Sequence, residues 1–116
     1  MQPPSEVLVL KNLIHPEELI VKEEYDEIME DMKRESAKFG RVVSIQIPKF
    51  DIKEPSNNSG VGNVFIQFAN LNQAKNARRD LVNRHFRKRI VEASYHSLGK
   101  FLQKDYQLRT HYMNIA

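Results

Sequence analysis

Cysteine and tryptophan are both missing from this chain of 116 residues, and glycine occurs only four times. Without cysteine there is no disulfide staple, no zinc ribbon and no thiol nucleophile. No apolar run approaches the ~18 residues that a membrane span requires, and no signal peptide opens the sequence, so a soluble, intracellular protein is expected. Catalytic patterns are absent too. The four histidines (His15, His85, His96, His111) show no metal-ligand spacing, and no serine stands in a nucleophile elbow. Gly60-x-Gly62 lacks the third glycine of a dinucleotide loop and leads into a strand. No enzyme, no cofactor and no metal are expected.

What is present is enough apolar sequence, 41%, for one compact core. The net charge of +3 conceals a polarity: residues 1–35 hold ten acids against four bases, and the remainder holds five acids against fourteen. Such a chain can offer one face to a basic partner and another to phosphate.

Residues 1–5 read as a Pro-bearing lead-in, 6–106 as one domain and 107–116 as a tail. "EVLVLKNL" is a first strand, with Leu8 and Leu10 on one side and Val7 and Val9 on the other. From Lys22 to about Phe39, Tyr25, Ile28, Met32 and Phe39 fall at helical spacing, and Gly40 is a natural stop. "VVSIQIP" alternates Val43, Ile45 and Ile47 against Ser44 and Gln46 as a second strand. In "NVFIQFA", Val64, Ile66 and Phe68 face one way and Asn63, Phe65 and Gln67 the other. Leu71, Ala74, Ala77 and Leu81 mark a second helix whose alanines let it pack close to a sheet. A fourth strand is expected over about Arg89 to Ser94. A third helix is expected in "SLGKFLQKDYQL", with Leu98, Phe101 and Leu102 to be buried, although Gly99 weakens it.

The order β-α-β-β-α-β defines an α+β fold, the split βαβ plait: a four-stranded antiparallel sheet with two helices on one face, and here an extra C-terminal helix over the other. This is the fold of the RNA recognition motif, which stacks bases on aromatics of the central strands. Its third-strand signature falls on "VGNVFIQF". Gly62, Phe65 and Phe68 fit, but Val61 replaces the base and Asn63 the first stacking aromatic. On the first strand Val9 stands where the other aromatic belongs. Base stacking contributes about 1–3 kcal/mol per base, so losing two platforms removes most of the expected affinity. Phe65 is expected as core beneath the third helix.

Two features remain. Glu27, Asp31 and Glu35 recur at i, i+4 and i+8, one row of carboxylates on the first helix. A solvated face is the simplest reading, yet like charges so spaced repel by ~0.2–0.5 kcal/mol per pair, so a basic partner over them would help. The second is "NRHFRKR", Asn83 to Arg89, which puts Phe86 among basic and imidazole side chains just after the second helix. A large apolar side chain there either tucks inward or lies exposed beside the helices.

A plait with degenerate RNA signatures, an acidic first helix and Arg-x-Phe before the last strand resembles the U2 auxiliary factor homology motif, a peptide-binding variant of the RNA recognition motif. It is most like the C-terminal domain of that splicing factor's large subunit. "PEEL", "EEYDEIMED", "KFG", "SIQIP" and "SYH" carry the likeness, which runs from about Glu6 to about Tyr106. The polar Asn-Ser loop, the His in Arg-His-Phe and the tail depart from it.

The resemblance implies a disordered ligand with Lys or Arg before a tryptophan. The indole would enter between the two helices against Phe86. Arg84 would cover it and pair with acids of the first helix, and Glu27, Asp31 and Glu35 would meet the ligand's basic residues. It further implies a nuclear protein acting in 3′ splice-site recognition, with the U2 auxiliary factor small subunit and the branchpoint-binding protein as partners and little or no RNA affinity of its own; a monomer is expected. Arg87, Lys88 and Arg89 read as a solvated strand entrance. The alternative is an RNA-binding module using Phe65 with Arg78 and Arg79 of a basic second helix.

Overall fold

The computed structural model describes residues 2–11, 13–50, 53, 60–86 and 88–108. Strand β1 (Val7–Lys11) leads through a 3₁₀ turn (Pro16–Leu19) into helix α1 (Lys22–Ser36) and strand β2 (Val42–Gln46). Strand β3 (Val64–Phe68) and helix α2 (Leu71–Leu81) follow. A short hairpin, β4 (His85–Phe86) and β5 (Arg89–Ile90), precedes β6 (Glu92–His96) and the short helix α3 (Leu98–Leu102). The sheet order is β2-β3-β1-β6. β1 lies antiparallel to both β3 and β6, with Val9 opposite Phe65 on one side and Ser94 on the other.

The central strands are apolar on both faces, and the structure covers both. Leu8, Leu10, Val64, Ile66 and Phe68 join Ile28 and Met32 of α1 and Ala74, Ala77 and Leu81 of α2 in the main core. Val7, Val9 and Phe65 meet Phe101 of α3 in a second, smaller one. A strand that alternates between two buried environments has no place for polar residues, which is why "VLVL" carries none. The side chains of Asn70 and Ser97 accept from the backbone N–H groups of Gln73 (2.9 Å) and Lys100 (3.2 Å), capping α2 and α3.

Several sequence expectations are corrected. Helix α1 ends at Ser36 rather than near Phe39, its last carbonyls accepting from Ala37, Lys38 and Phe39 in a tightened turn. In β2 the register shifts between Val42 and Ser44, and that bulge leaves Val43 57% exposed while Val42 packs on the core. The fourth strand is two elements: Arg89–Ile90 pairs with His85–Phe86 in the hairpin, and Glu92–His96 is the strand that pairs with β1. Leu102, expected in the core, is exposed, because α3 is one turn long and turns Phe101, with the partly buried Leu98, toward the sheet.

The packed unit also extends slightly beyond 6–106. Ser5 is buried; its hydroxyl donates to the His96 carbonyl and accepts from the Val7 N–H at 3.2 Å. Leu108 packs against the second core. Residues 109–116 of the proposed tail lie outside the described residues, as does most of the Asn-Ser loop.

Candidate functional site

The hairpin fixes the position of Arg84 and Phe86. Leaving α2, the Arg84 N–H donates to the Leu81 carbonyl at 3.0 Å, and the Arg84 carbonyl accepts from Val91 at 2.7 Å. The Asn83 N–H donates to the Val91 carbonyl at 3.2 Å, closing the base of the loop. The turn-back demands φ of +68° at both Asn83 and Lys88, a left-handed conformation that asparagine tolerates better than lysine. Residues two apart in an extended segment project to the same side, so Arg84 and Phe86 act on one surface.

That surface is a cleft of about 100 Å³ between the end of α1, the end of α2 and the hairpin. Leu10, Met32, Leu81 and Val91 form its buried floor. Phe39 and Phe86, both half-buried, line it with Ser36, Glu35, Arg84 and His85. The guanidinium of Arg84 lies over the Phe39 ring, 5.3 Å from its centre, and its Nε donates to the Asp80 carbonyl. An apolar slot is thus roofed by a cation and edged by a carboxylate.

The three expected carboxylates stand at different distances from it. Glu35 lines the cleft, whereas Asp31 is one turn away and half-exposed, and Glu27 is exposed one turn further still. Asp31 is ion-paired with Arg34, and Glu35 with Lys38 at 3.1 Å. These i, i+3 pairs offset part of the repulsion along the row. The expected pairing of Arg84 with acids of α1 is replaced: among the described residues its contacts are the Asp80 carbonyl and the Phe39 ring. The sequence pattern marks Phe39 only as a core position of α1, and its place under Arg84 follows from the turn after Ser36, which periodicity does not reveal.

The residues of the alternative reading are not brought together. Phe65 has no exposed surface; His96 meets it edge-on at 4.9 Å and Tyr106 at 5.1 Å, with Phe101 alongside. Nothing in the sequence pattern marks Tyr106 as part of this cover. It is held close: a side chain at Gly60 would come within 2.6 Å of the Tyr106 carbonyl, so only glycine fits there. The buried His96 ring bonds through Nε2 to the Asp105 carbonyl at 2.8 Å, and burial lowers its pKa below the usual 6.5. Arg78 and Arg79 lie on α2, which packs on the opposite face of the sheet. Arg78 Nε donates to the Ala93 carbonyl at 3.0 Å with its guanidinium over Tyr95, and Arg79 bonds Asp80 and Asn76.

Fold and site together define an RNA-recognition-motif-like domain whose sheet is covered and whose open cleft lies on the helical side. Comparison with known proteins agrees with this class. No family model matches the chain. It is 35% identical over 104 residues to a splicing factor U2af large subunit of Arabidopsis thaliana, and 37% identical over 106 residues to one of Nicotiana plumbaginifolia. These matches cover 90% and 88% of this chain and 18% of each relative, so the chain spans about a fifth of the curated relatives it matches. A 36% match over 98 residues joins 84% of the chain to 22% of the human serine/threonine-protein kinase Kist. That is a small portion of the kinase, and the sequence has neither the His-Arg-Asp nor the Asp-Phe-Gly motif of a kinase site. Among solved structures the RNA15 RRM superposes with a TM-score of 0.54 over 86% of this chain and 99% of its own, at 22% identity, a likeness of fold. The chain is a domain of the U2 auxiliary factor homology type, related to a segment of the U2af large subunits.

Proposed function

We propose that the domain is a protein-interaction module of pre-mRNA splicing that grips a tryptophan, preceded by Lys or Arg, in the cleft between α1, α2 and the hairpin. The observation that carries this reading is the slot between Phe39 and Phe86, roofed by Arg84 and edged by Glu35. An apolar cavity of ~150 Å³ admits a benzene ring. An open cleft of about 100 Å³ therefore takes the edge of an indole, with Arg84 closing over the remainder. Aromatic pairing contributes ~0.5–1.5 kcal/mol beyond burial, and a guanidinium over the ring ~0.5–2. Asp31 and Glu35 already hold cations at their carboxylates, but exposed pairs of this kind contribute only ~0–1 kcal/mol, so basic ligand residues can replace Arg34 and Lys38. Glu27, a turn away, extends the acidic row toward more distant ligand charge.

In this reading the domain is a nuclear monomer whose partners are the U2 auxiliary factor small subunit and the branchpoint-binding protein, in the recognition of 3′ splice sites. The covered Phe65 argues against base stacking on the sheet. Because the chain has no tryptophan, indole emission reports the ligand alone. Titration with Lys/Arg-Trp peptides should give a saturable change between roughly nanomolar and micromolar concentration. A peptide with Trp replaced by Ala should fail to compete. Equal competition by that peptide would overturn the reading.

A further inference from the structure

The hairpin that presents Phe86 is seated by two side chains. His85 pairs with Ile90 and Phe86 with Arg89. Residues directly opposite in an antiparallel pair project to one side, so the exposed His85 and Ile90 form the outer face and the partly buried Phe86 and Arg89 the inner one. Phe86 packs on the main core at the cleft. Arg89, expected in a solvated strand entrance, instead reaches the 3₁₀ turn before α1, where its guanidinium donates to Nε2 of His15. That turn is a fixed anchor. The buried Leu13 and Ile14, just before His15, donate through their N–H groups to the Gly62 carbonyl at 3.1 and 3.2 Å, and Leu19 is buried at the far end.

Arginine offers donors only, so the His15 Nε2 that meets it carries a lone pair and the ring proton sits on Nδ1. Nδ1 lies 3.9 Å from the Glu17 carboxylate, and the His15 N–H donates to the Glu18 carboxylate at 3.4 Å. The two charge states of the ring therefore favour different partners. Neutral, it accepts from Arg89; protonated, it has no acceptor left, repels the guanidinium and is drawn to Glu17. The next charges along the two elements are Lys88, exposed on the hairpin, and Lys11 and Glu92, which stand opposite one another in the β1–β6 ladder and offset each other. We infer that His15 is a positioning residue for the indole cleft: neutral, it holds Arg89 and with it the hairpin that presents Phe86; protonated, it lets the hairpin loosen and the grip on a Trp peptide weaken. This rests on the reading of the cleft as a peptide site.

Indole emission of a Lys/Arg-Trp peptide without His, Asp or Glu, titrated into the whole chain at steps between about pH 8 and 5.5, tests this. Affinity should fall about threefold toward acid. His85 lines the cleft and His96 lies across the sheet, so wild type is compared with His15→Gln, which keeps both. The Gln amide oxygen accepts from Arg89 and takes no proton, so this variant should hold roughly the wild-type affinity at pH 8 and lose that part of the acid dependence. His15→Ala and Arg89→Met should each weaken binding about threefold at pH 8, and together no further. Without peptide, the amide shifts of the hairpin should move with pH in wild type more than in His15→Gln, which judges the tie apart from the ligand. Equal acid dependence of affinity in wild type and His15→Gln, or hairpin shifts that do not differ between them, would overturn the inference and leave the cleft as a peptide site. Failure of any Trp peptide to bind at pH 8 would overturn the cleft reading and the positioning role with it, the hairpin shifts alone then deciding whether the tie exists.

Discussion

The Arg84 guanidinium rests 5.3 Å from the centre of the Phe39 ring, joining the hairpin after α2 to the turn after α1. This contact spans the mouth of the cleft, so the two segments that bound the site are already held to one another. An arriving aromatic ring would slide beneath a cation whose position is set by its bond to the Asp80 carbonyl. Little side-chain entropy then remains to be lost on binding.

Phe86→Ala should reduce affinity for a Lys/Arg-Trp peptide at least tenfold. Phe86 is half-buried and packs on the main core, so the same change should also lower stability, by ~1–2 kcal/mol. Calorimetric titration beside thermal melts separates the two effects. A loss of stability with full affinity would remove Phe86 from the site.

Reversing charge on the acidic row should act differently. Asp31→Lys with Glu35→Lys should lower peptide affinity about tenfold, chiefly through slower association and weaker salt dependence. Both carboxylates are partly solvated and ion-paired with neighbours one turn away, so stability should shift by no more than ~1 kcal/mol. Stopped-flow association at several salt concentrations measures this.

Tyr106→Ala should loosen the sheet cover. Its ring packs on Phe65 and Phe101, so ~2 kcal/mol of stability should be lost. Peptide binding should persist, because the cleft lies across the sheet. Amide exchange in β1 and β3 together with peptide titration provides the check.

Stability should depend on pH through His96. Its pKa in the folded state is lowered, by burial above all, so the unfolded chain binds the proton more readily. The contribution is complete above the ordinary 6.5, declines as pH falls below it, and is lost once pH passes the folded value. His96→Gln should flatten this part of the profile in denaturant titrations between pH 5 and 8.

Much of the fold was legible because alternation carried it. Leu8 and Leu10 part from Val7 and Val9 as the pattern implies, and the spacing of Ala74, Ala77 and Leu81 marks the buried face of α2. Where backbone geometry departed from period two, the pattern misled. The bulge beside Val43 turned an apolar residue outward, and the hairpin at 85–90 interrupted what read as one strand. The cleft was legible only in part. Arg84 and Phe86 were marked by their position after α2, but the ring of Phe39 arrives through a turn without periodicity. Tyr106 covers Phe65 through a close approach to Gly60 that no local pattern records.

The central claim is contact between Phe86 and a ligand indole, and a double-mutant cycle reads that contact directly. Calorimetry would measure wild type and Phe86→Leu against a peptide bearing Trp or Leu at the anchor position. A coupling energy of ~0.5–1.5 kcal/mol is expected for two aromatic rings in contact. Additive effects, with coupling below ~0.3 kcal/mol, would mean that the two side chains do not meet and would contradict the assignment.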